Sequence, residues 1–333
     1  MKILLASDAW PPQVNGVVRT MLAVMRELEA LGHTITVLSP DRFRTIPCPF
    51  YREIRLALNP AAKVGRVIEE AKPDAIHIVT EGPIGIAARR WCLNAGYQFT
   101  TAYHTRFPEY LAVRYIAPRR FTYSLLRRFH APSRGVMVAT ESVRKELAAH
   151  GFTNLVPWGR GVDPSLFDPT MRDELPEFKR PIFLSVGRVA QEKNLPAFLS
   201  LNLPGSKVVV GEGPALASLR RRFPDAHFLG RRENGVLARL YASADVFVFP
   251  SRTDTFGLVM LEALASGLPV AAYPVPGPLD VINGSGAGVL DTNLRLAALG
   301  ALDIPRELCR EHALSFTWTK CAQQFLERLT PIR

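Results

Sequence analysis

Short apolar runs alternate with amphipathic helices in both halves of the 333-residue chain, and this alternation restricts the fold more than any other feature. The predicted strands are Lys2–Ser7, Thr34–Leu38, Asp74–Val79 and Gly135–Thr140, then Pro181–Gly187, Lys207–Val210, Ala226–Leu229, Val246–Pro250 and Pro269–Ala272. Helices are predicted from Val18 to Leu28 and at Leu216–Phe223, Asn234–Ser243, Val259–Ser266 and Trp318–Leu329. Strand and helix in this order predict an α/β fold whose parallel sheets are covered on both faces.

The chain is long enough for two domains, because single hydrophobic cores seldom grow beyond about 250–300 residues. Residues 157–164 combine Pro, Gly and Arg, and a Pro- and acid-rich stretch follows as far as Pro181, which is typical of a linker. We therefore expect an N-terminal domain over residues 1–164 and a C-terminal domain over 165–315. The closing segment 316–333 is expected to pack back on the first domain.

Composition narrows the class of protein. The longest uncharged run, residues 263–279, contains six Gly and Pro residues and is not a membrane span, and the apolar start Met1–Ala6 is too short for a signal peptide. Four scattered cysteines without a CxxC pair indicate reduced thiols rather than a disulfide framework or a zinc ribbon. These features predict a soluble or peripheral protein in the cytoplasm.

Positive charge is concentrated in the first half. Lys and Arg outnumber Asp and Glu by 22 to 14 in residues 1–170 and by 19 to 16 in residues 171–333. Such an excess indicates an anionic partner, which could be a membrane surface, a nucleic acid or a phosphorylated substrate. Segment 106–134 has seven arginines and one acid interleaved with aromatics, which favours an anionic membrane surface. No nucleic-acid reader motif is present, so we expect no nucleic-acid partner.

Ligands of parallel sheets bind beyond the carboxyl ends of the strands, and the loops there carry the candidate site residues. Gly16 lies just before the first helix, where a backbone without a side chain lets a phosphate or sugar oxygen approach. Arg188 and Lys193 follow the strand that ends at Gly187, and two cations there could neutralise a departing pyrophosphate. A solvated basic turn is the alternative interpretation of this pair.

The segment 250–263 is the most informative. A strand ends at Pro250 and a helix begins near Gly257, so the amides of Phe256, Gly257, Leu258 and Val259 are predicted to face a phosphate or sugar. Glu262 lies among apolar neighbours, where two ribose hydroxyls, or instead a salt bridge at the start of the helix, would satisfy its carboxylate.

Asp254 and Glu262 could also be the paired carboxylates of a glycosidase. Residues eight apart on a helix are already about 12 Å apart along its axis, beyond the ~5–9.5 Å of such pairs. Their spacing therefore favours a transferase whose two carboxylates grip opposite ends of an extended ligand.

Two further places are candidates. His104 follows the apolar run Tyr97–Thr100 and faces either a ligand or the core. Gly211 and Gly213 form a turn after a strand that could approach a nucleotide. The turn is not a GxGxxG motif, because residue 216 is Leu, which disfavours a nicotinamide enzyme.

With these motifs in place, the chain resembles the family-4 retaining glycosyltransferases of GT-B fold along nearly its whole length. The motifs are Pro11-Pro12…Asn15-Gly16…Arg19, Tyr103-His104-Thr105, Arg160-Gly161-Val162-Asp163, Gly187-Arg188…Glu192-Lys193-Asn194, Gly211-Glu212-Gly213-Pro214 and Asp254…Glu262. The resemblance implies two facing Rossmann-like domains with an interdomain active-site cleft. It also implies front-face substitution with retention, and no metal or other cofactor, because cationic side chains replace the metal.

The resemblance assigns roles to the candidate residues. Gly16 would contact the donor and His104 would lie near the transferred sugar. The diphosphate would be bound by Arg188 and Lys193, and the ribose by Glu262. Asp254 and the amides of Phe256, Gly257, Leu258 and Val259 would hold the sugar hydroxyls and a phosphate.

Two residues depart from the family pattern: Asp254 stands where Glu is common, and Asn15 replaces a paired glycine. Residues 251–257 and 274–282 look like the branch that glycosylates lipids, including diacylglycerol glycosyltransferases and sulfolipid synthases. We therefore expect transfer of glucose or glucuronate from a UDP-sugar to a lipid such as diacylglycerol, at the inner face of the plasma membrane. The alternatives are a GDP-sugar mannosyltransferase acting on another acceptor and a nucleotide-sugar epimerase of the same fold.

Overall fold

A computed structural model describes residues 1–48, 51–109, 117–232 and 234–333. The chain divides into two compact units, Met1–Arg160 with Trp318–Arg333, and Gly161–Thr317. These junctions lie four residues before and two residues after the boundaries expected from the sequence. None of the helices in the described ranges combines the length and apolar character needed to cross a bilayer.

The first unit is built on a parallel sheet with the strand order β2-β1-β5-β6-β7-β8. Its strands are β1 (Lys2–Ala6), β2 (Thr34–Leu38), β5 (Ala75–Ile78), β6 (Thr100–Tyr103), β7 (Val136–Val138) and β8 (Leu155–Pro157). Beside it, β3 (Thr45–Cys48) and β4 (Tyr51–Ala57) form an antiparallel pair. Its helices are α1 (Gly16–Ala30), α2 (Ala61–Ala71), α3 (Pro83–Ala95), α4 (Arg119–His130), α5 (Glu141–Ala149) and the closing helix of the chain (Trp318–Arg328).

Apolar side chains fill both faces of this sheet. In β1, Leu4 belongs to the core that includes α2 and α3 residues, whereas Leu5 belongs to the core that includes α1 and the closing helix. Successive strand residues point to opposite faces, so a strand buried on both sides reads as a continuous apolar run. The closing helix is held by Phe325 in the core and by the Trp158 indole, which donates to the Cys321 carbonyl at 3.1 Å.

The second unit repeats the arrangement, with the strand order β11-β10-β9-β12-β13-β14. The strands are β9 (Ile182–Val186), β10 (Ser206–Val210), β11 (His227–Phe228), β12 (Val246–Phe249), β13 (Val270–Ala272) and β14 (Gly288–Leu290). The helices are α6 (Leu195–Leu199), α7 (Leu216–Arg222), α8 (Asn234–Ser243), α9 (Leu258–Ala265), α10 (Pro278–Ile282), α11 (Leu294–Gly300) and α12 (Arg306–Leu314), so the closing helix is α13. All strand pairs in this sheet are parallel.

The strand order of the second unit fixes where a ligand would lie. From β9 the chain goes to β10 on one side, whereas β12 and β13 lie on the other side. The connections that follow β9 and β12 therefore run to opposite sides of the sheet, and parallel sheets bind ligands in the crevice at such a point, beyond the carboxyl ends of the strands. In the first unit the corresponding divergence lies between β1 and β5.

Strand β6 lies directly before His104, since it begins at Thr100 and ends at Tyr103. Thr100 and Thr101 are fully buried, and their hydroxyls contact His77 and His130 at 2.9 Å. These two buried polar side chains are thus satisfied by histidines elsewhere in the unit.

Candidate active site

The loops after β9 and β12 are joined directly to each other in the second unit. The side-chain amide of Asn194 donates to the Pro250 carbonyl at 3.1 Å, and the Ser251 hydroxyl donates to the Glu192 carbonyl at 3.3 Å. Asn194 has a left-handed backbone (φ 52°), which ends the short turn Gln191–Lys193 and starts α6. The predicted cationic loop and the predicted acidic loop therefore form one surface at the crevice.

Lys193 and Asp254 form an ion pair within this surface, with 2.5 Å between Nζ and Oδ1. The lysine side chain is 26% exposed and the aspartate side chain 13%, so the pair is half-buried rather than solvated. The second oxygen, Oδ2 of Asp254, is buried and has no hydrogen-bond partner among the described residues. A buried acceptor of this kind fits a donor supplied by a ligand, such as a sugar hydroxyl.

Arg188 follows Gly187 directly after β9 and is half-buried. The turn 211–213 packs against this segment by backbone bonds: the amide of Gly187 donates to Val210, and the amide of Val189 donates to Glu212. A Cβ on Gly211 would lie 1.8 Å from the Gly187 carbonyl oxygen, and one on Gly213 would lie 2.3 Å from the Val189 carbonyl oxygen. Both positions require glycine because backbone meets backbone there.

Helix α9 begins at the predicted place, after Gly257 with φ 88°. In the described chain, the amides of Phe256, Gly257, Leu258 and Val259 donate to no other residue. The first amides of a helix carry a partial positive charge and bind anions or hydroxyl oxygens. The predicted row of free donors therefore exists and follows Asp254 in the chain.

Glu262 lies on α9 and is only 6% exposed. Its Oε2 accepts a hydrogen bond of 3.0 Å from the hydroxyl of Tyr241, which is fully buried on α8. A buried carboxylate requires such donors, and this one fixes the orientation of the group. Tyr241 could not be predicted from the sequence, because nothing in the spacing of residues 241 and 262 marks a contact between two helices.

In the first unit, Gly16 is the exposed first residue of α1. The Asn15 side chain caps this helix by accepting from the Val18 amide at 3.0 Å. An Asn at the cap keeps the helix start ordered, so the departure from a glycine pair has a local physical reason.

His104 follows β6, and its ring meets Trp158 edge-on with the ring centroids 5.6 Å apart. The Arg160 guanidinium lies 3.4 Å from His104 Nδ1 and 4.4 Å from the Trp158 ring centroid, and it donates to the carbonyls of Trp158 and Gly159. Burial of the ring, and then the charge of Arg160, hold the pKa of His104 well below its usual value. His104 is therefore a neutral imidazole at physiological pH.

Two of the buried charged residues in the first unit, Arg160 and Asp8, were not among the predicted site residues, although Arg160 belongs to one of the motifs of the family resemblance. Arg160 is 6% exposed, and burial lowers its pKa to about 10, so it stays cationic at neutral pH. Asp8, after β1, accepts from the amides of Ile84 and Gly85 at the start of α3, while burial raises its pKa. Asp8 could have been found from the sequence, because it is an acidic residue at the end of an apolar strand.

Within the described ranges, no group of three or more His, Cys, Asp or Glu side chains could hold a metal ion. The basic segment 106–134 is described only in part: Arg114 and Tyr115 lie outside the described residues.

Comparison with known proteins gives two family matches. Residues 14–166 match the Glycosyltransferase Family 4 model, and residues 180–300 match the model of Glycosyl transferases group 1. A GDP-mannose-dependent alpha-mannosyltransferase of Mycobacterium tuberculosis is 30% identical over 317 residues, which cover 87% of this chain and 83% of the relative. An alpha-monoglucosyldiacylglycerol synthase of Streptococcus pneumoniae is 28% identical over 363 residues, covering 95% and 81%.

Among solved structures, the fold is similar to that of Anabaena Alr3699/HepE in complex with UDP-glucose. The TM-score is 0.74 at 16% identity, and the match covers 98% of each chain. The two parallel-sheet units and this likeness identify the predicted GT-B fold. The chain is therefore a glycosyltransferase of family 4.

Proposed function

We propose that this chain is a retaining, metal-independent hexosyltransferase. In this proposal it moves glucose or glucuronate from a UDP-sugar to a lipid such as diacylglycerol at the cytoplasmic face of the membrane. The observation that carries the donor part is the surface shared by the loops after β9 and β12. This surface carries the ion-paired Lys193, the buried and unsatisfied Oδ2 of Asp254, and the free amides of residues 256–259.

The donor would be bound piece by piece on the second unit. Arg188 and Lys193 bring positive charge to a diphosphate, and the amides of residues 256–259 add partial positive charge. Oδ2 of Asp254 would accept a sugar hydroxyl. Glu262, oriented by Tyr241, would accept the ribose hydroxyls. A UDP-glucose complex of a protein with this fold is consistent with such a ligand.

The reaction proposed is front-face substitution. The bond between the anomeric carbon and the phosphate oxygen breaks as the acceptor oxygen bonds to the same face, and the acceptor proton passes to the departing phosphate. Charge then builds up on the diphosphate, where preorganised cations and amides stabilise it most. These cations would take the part that a metal ion plays in metal-dependent transferases. His104, assigned near the sugar by resemblance, would contribute hydrogen bonds without charge.

The lipid part is supported by helix α4. Phe121 is 64% exposed and Leu125 58% exposed, one helical turn apart, and arginines 119, 120, 127 and 128 lie on the same helix. Apolar side chains flanked by cations are typical of a helix that lies on an anionic bilayer. The relative named alpha-monoglucosyldiacylglycerol synthase is consistent with a lipid acceptor.

The donor test uses labelled UDP-glucose, UDP-glucuronate and GDP-mannose, each with diacylglycerol and with a membrane lipid extract, followed by product mass. We expect a lipid product from one UDP-sugar, and we expect Arg188→Ala or Lys193→Ala to abolish it. Arg221→Ala, at an exposed position on α7, is the matched control and should transfer normally. Near-normal turnover by the Arg188 and Lys193 variants would refute their assignment.

Vesicle flotation tests the membrane part. The double variant Phe121→Ser with Leu125→Ser should lose most of its binding to vesicles that contain anionic lipid, because both apolar contacts are removed. Leu93→Ser, at a 45% exposed leucine on α3, is the control and should bind like the wild type. Vesicle binding that changes neither with the lipid charge nor with the α4 substitutions would contradict the proposal.

A second candidate is a GDP-mannose-dependent mannosyltransferase acting on another acceptor. It is favoured by the relative of that name, which is 30% identical across 83% of its length. The same donor panel separates the two candidates, because a product formed only from GDP-mannose would replace the UDP-sugar proposal.

A further inference from the structure

An open cavity of about 380 Å³ lies in the second unit, at the amino ends of β9 and β12. The candidate active site lies beyond the carboxyl ends of the same strands, so the cavity is at the opposite edge of the sheet. It is lined by Arg172, Arg180 and Arg306, by Asp245, and by the apolar side chains of Leu302 and Ile304. Its size is within the usual range for small-molecule sites, about 300–1,000 Å³.

The lining carries more positive than negative charge. Asp245 forms an ion pair with Arg180, with 2.7 Å between Oδ1 and Nη1, and its other oxygen accepts from the Ile182 amide at 2.6 Å. Arg306 donates to the carbonyls of Ala244 and Ala242, which are neutral acceptors. Three guanidiniums therefore face one carboxylate.

Arg172 is the least engaged of these groups. Its side chain is exposed and makes no hydrogen bond or ion pair with any residue in the described ranges. The guanidiniums are close enough to repel one another: burial and then the charge of Arg172 lower the pKa of Arg306, and Arg180 adds to this effect. A bound anion would relieve that repulsion and use the five donors that each guanidinium carries.

We propose that this cavity binds a phosphate monoester that carries a small organic body. Guanidinium groups bind phosphate oxygens through paired, charge-assisted hydrogen bonds, which explains why three of them converge here. Leu302 and Ile304 give the cavity an apolar wall, and such a wall fits an organic group attached to the phosphate. The cavity shares no residue with the loops after β9 and β12, and its binding test does not depend on the transfer reaction proposed above.

The position of the cavity links it to the elements that carry the candidate active site. Arg306 holds the carbonyl of Ala242 in α8, whose Tyr241 bonds Glu262, and it reaches the Ser266 carbonyl at the end of α9 at 3.4 Å. A phosphate bound to Arg306 would therefore contact the same side chain that joins these two helix ends.

Isothermal titration of the full chain at low ionic strength, with phenyl phosphate and with inorganic phosphate as probes, tests the proposal. We expect saturable binding of phenyl phosphate, weakened about tenfold or more by Arg172→Gln, because a charge-assisted contact is lost. Arg172 has no described partner, so this variant should fold normally. Arg221→Gln removes the same charge elsewhere and Arg188→Gln alters the donor loop, and both should bind within about twofold of the wild type.

Three results would overturn the proposal. One is the absence of saturable binding by the wild type. Another is equal weakening by Arg172→Gln and Arg221→Gln, which would reduce the effect to net charge. The third is weakening by Arg188→Gln alone, which would place the probe on the donor loops. If inorganic phosphate bound as tightly as phenyl phosphate, the proposal that the ligand carries an organic group would be wrong.

Discussion

Removing one hydroxyl group, by the substitution Tyr241→Phe, tests how the carboxylate of Glu262 is held. The hydroxyl donates to Oε2 of Glu262 at 3.0 Å, and both residues are buried. Phenylalanine keeps the ring and its packing against Phe167 and Phe247, so the lost hydrogen bond is the principal change.

The expected cost follows from the charge and burial of the acceptor. A hydrogen bond to a charged group contributes about 1.5–3 kcal/mol, and a buried acceptor left without its donor carries the desolvation penalty as well. We therefore expect Tyr241→Phe to lower the free energy of unfolding by about 1.5–3 kcal/mol. The KM for the nucleotide sugar should rise several-fold, because the carboxylate that we propose binds the ribose loses a donor that orients it.

Urea unfolding and donor-dependent kinetics measure these two effects. Tyr103→Phe is the matched control, since the Tyr103 hydroxyl is buried and has no hydrogen-bond partner among the described residues. Its removal should be neutral or stabilising, because no bond is lost and an unsatisfied group disappears. A Tyr241→Phe protein with unchanged stability and unchanged donor KM would refute the reasoning, as would equal losses in both variants.

Three further predictions concern the site and the two cores. Asp254→Asn removes the partner of Lys193 and a charged acceptor for the sugar, so kcat/KM should fall about 100-fold or more, and steady-state rates near wild type would contradict the assignment. Gly211→Ala places a Cβ 1.8 Å from a backbone oxygen and should destabilise the second unit in thermal unfolding. The control Gly235→Ala on α8 places a Cβ with nothing within 4 Å and should be neutral or stabilising. Equal Tm shifts in the two variants would count against the close approach at Gly211. Burial lowers the pKa of His77 to about 3, so the unfolded state binds a proton below about pH 6.5 that the folded state refuses. His77 should therefore contribute a fall in stability of about 2 kcal/mol from pH 7 to pH 5, and the slope should be shallower by that amount in His77→Gln.

Apolar periodicity was enough to predict the two parallel sheets and the places where the loops after β9 and β12 begin. Thr34–Leu38 and Asn234–Ser243 coincide with β2 and α8. The glycines and cations of the second unit follow the strands β9, β10 and β12 as expected.

Pairings between distant residues could not be predicted. Lys193 meets Asp254 across 61 positions, and Arg160 meets His104 across 56 positions. The partners that satisfy Thr100 and Thr101, His77 and His130, also lie far from them along the chain. A sequence shows which groups need partners but does not show which partner the fold supplies.

The stereochemistry of the transferred sugar tests whether this chain is a retaining UDP-sugar transferase. The protein would be incubated with α-linked UDP-[13C]glucose and UDP-[13C]glucuronate in the presence of diacylglycerol, and the anomeric coupling of the purified product would be read by NMR. We expect an α-linked glycolipid from one of these donors and none from the Lys193→Ala protein. A β-linked product, or donor consumed without any acceptor product, would contradict this expectation.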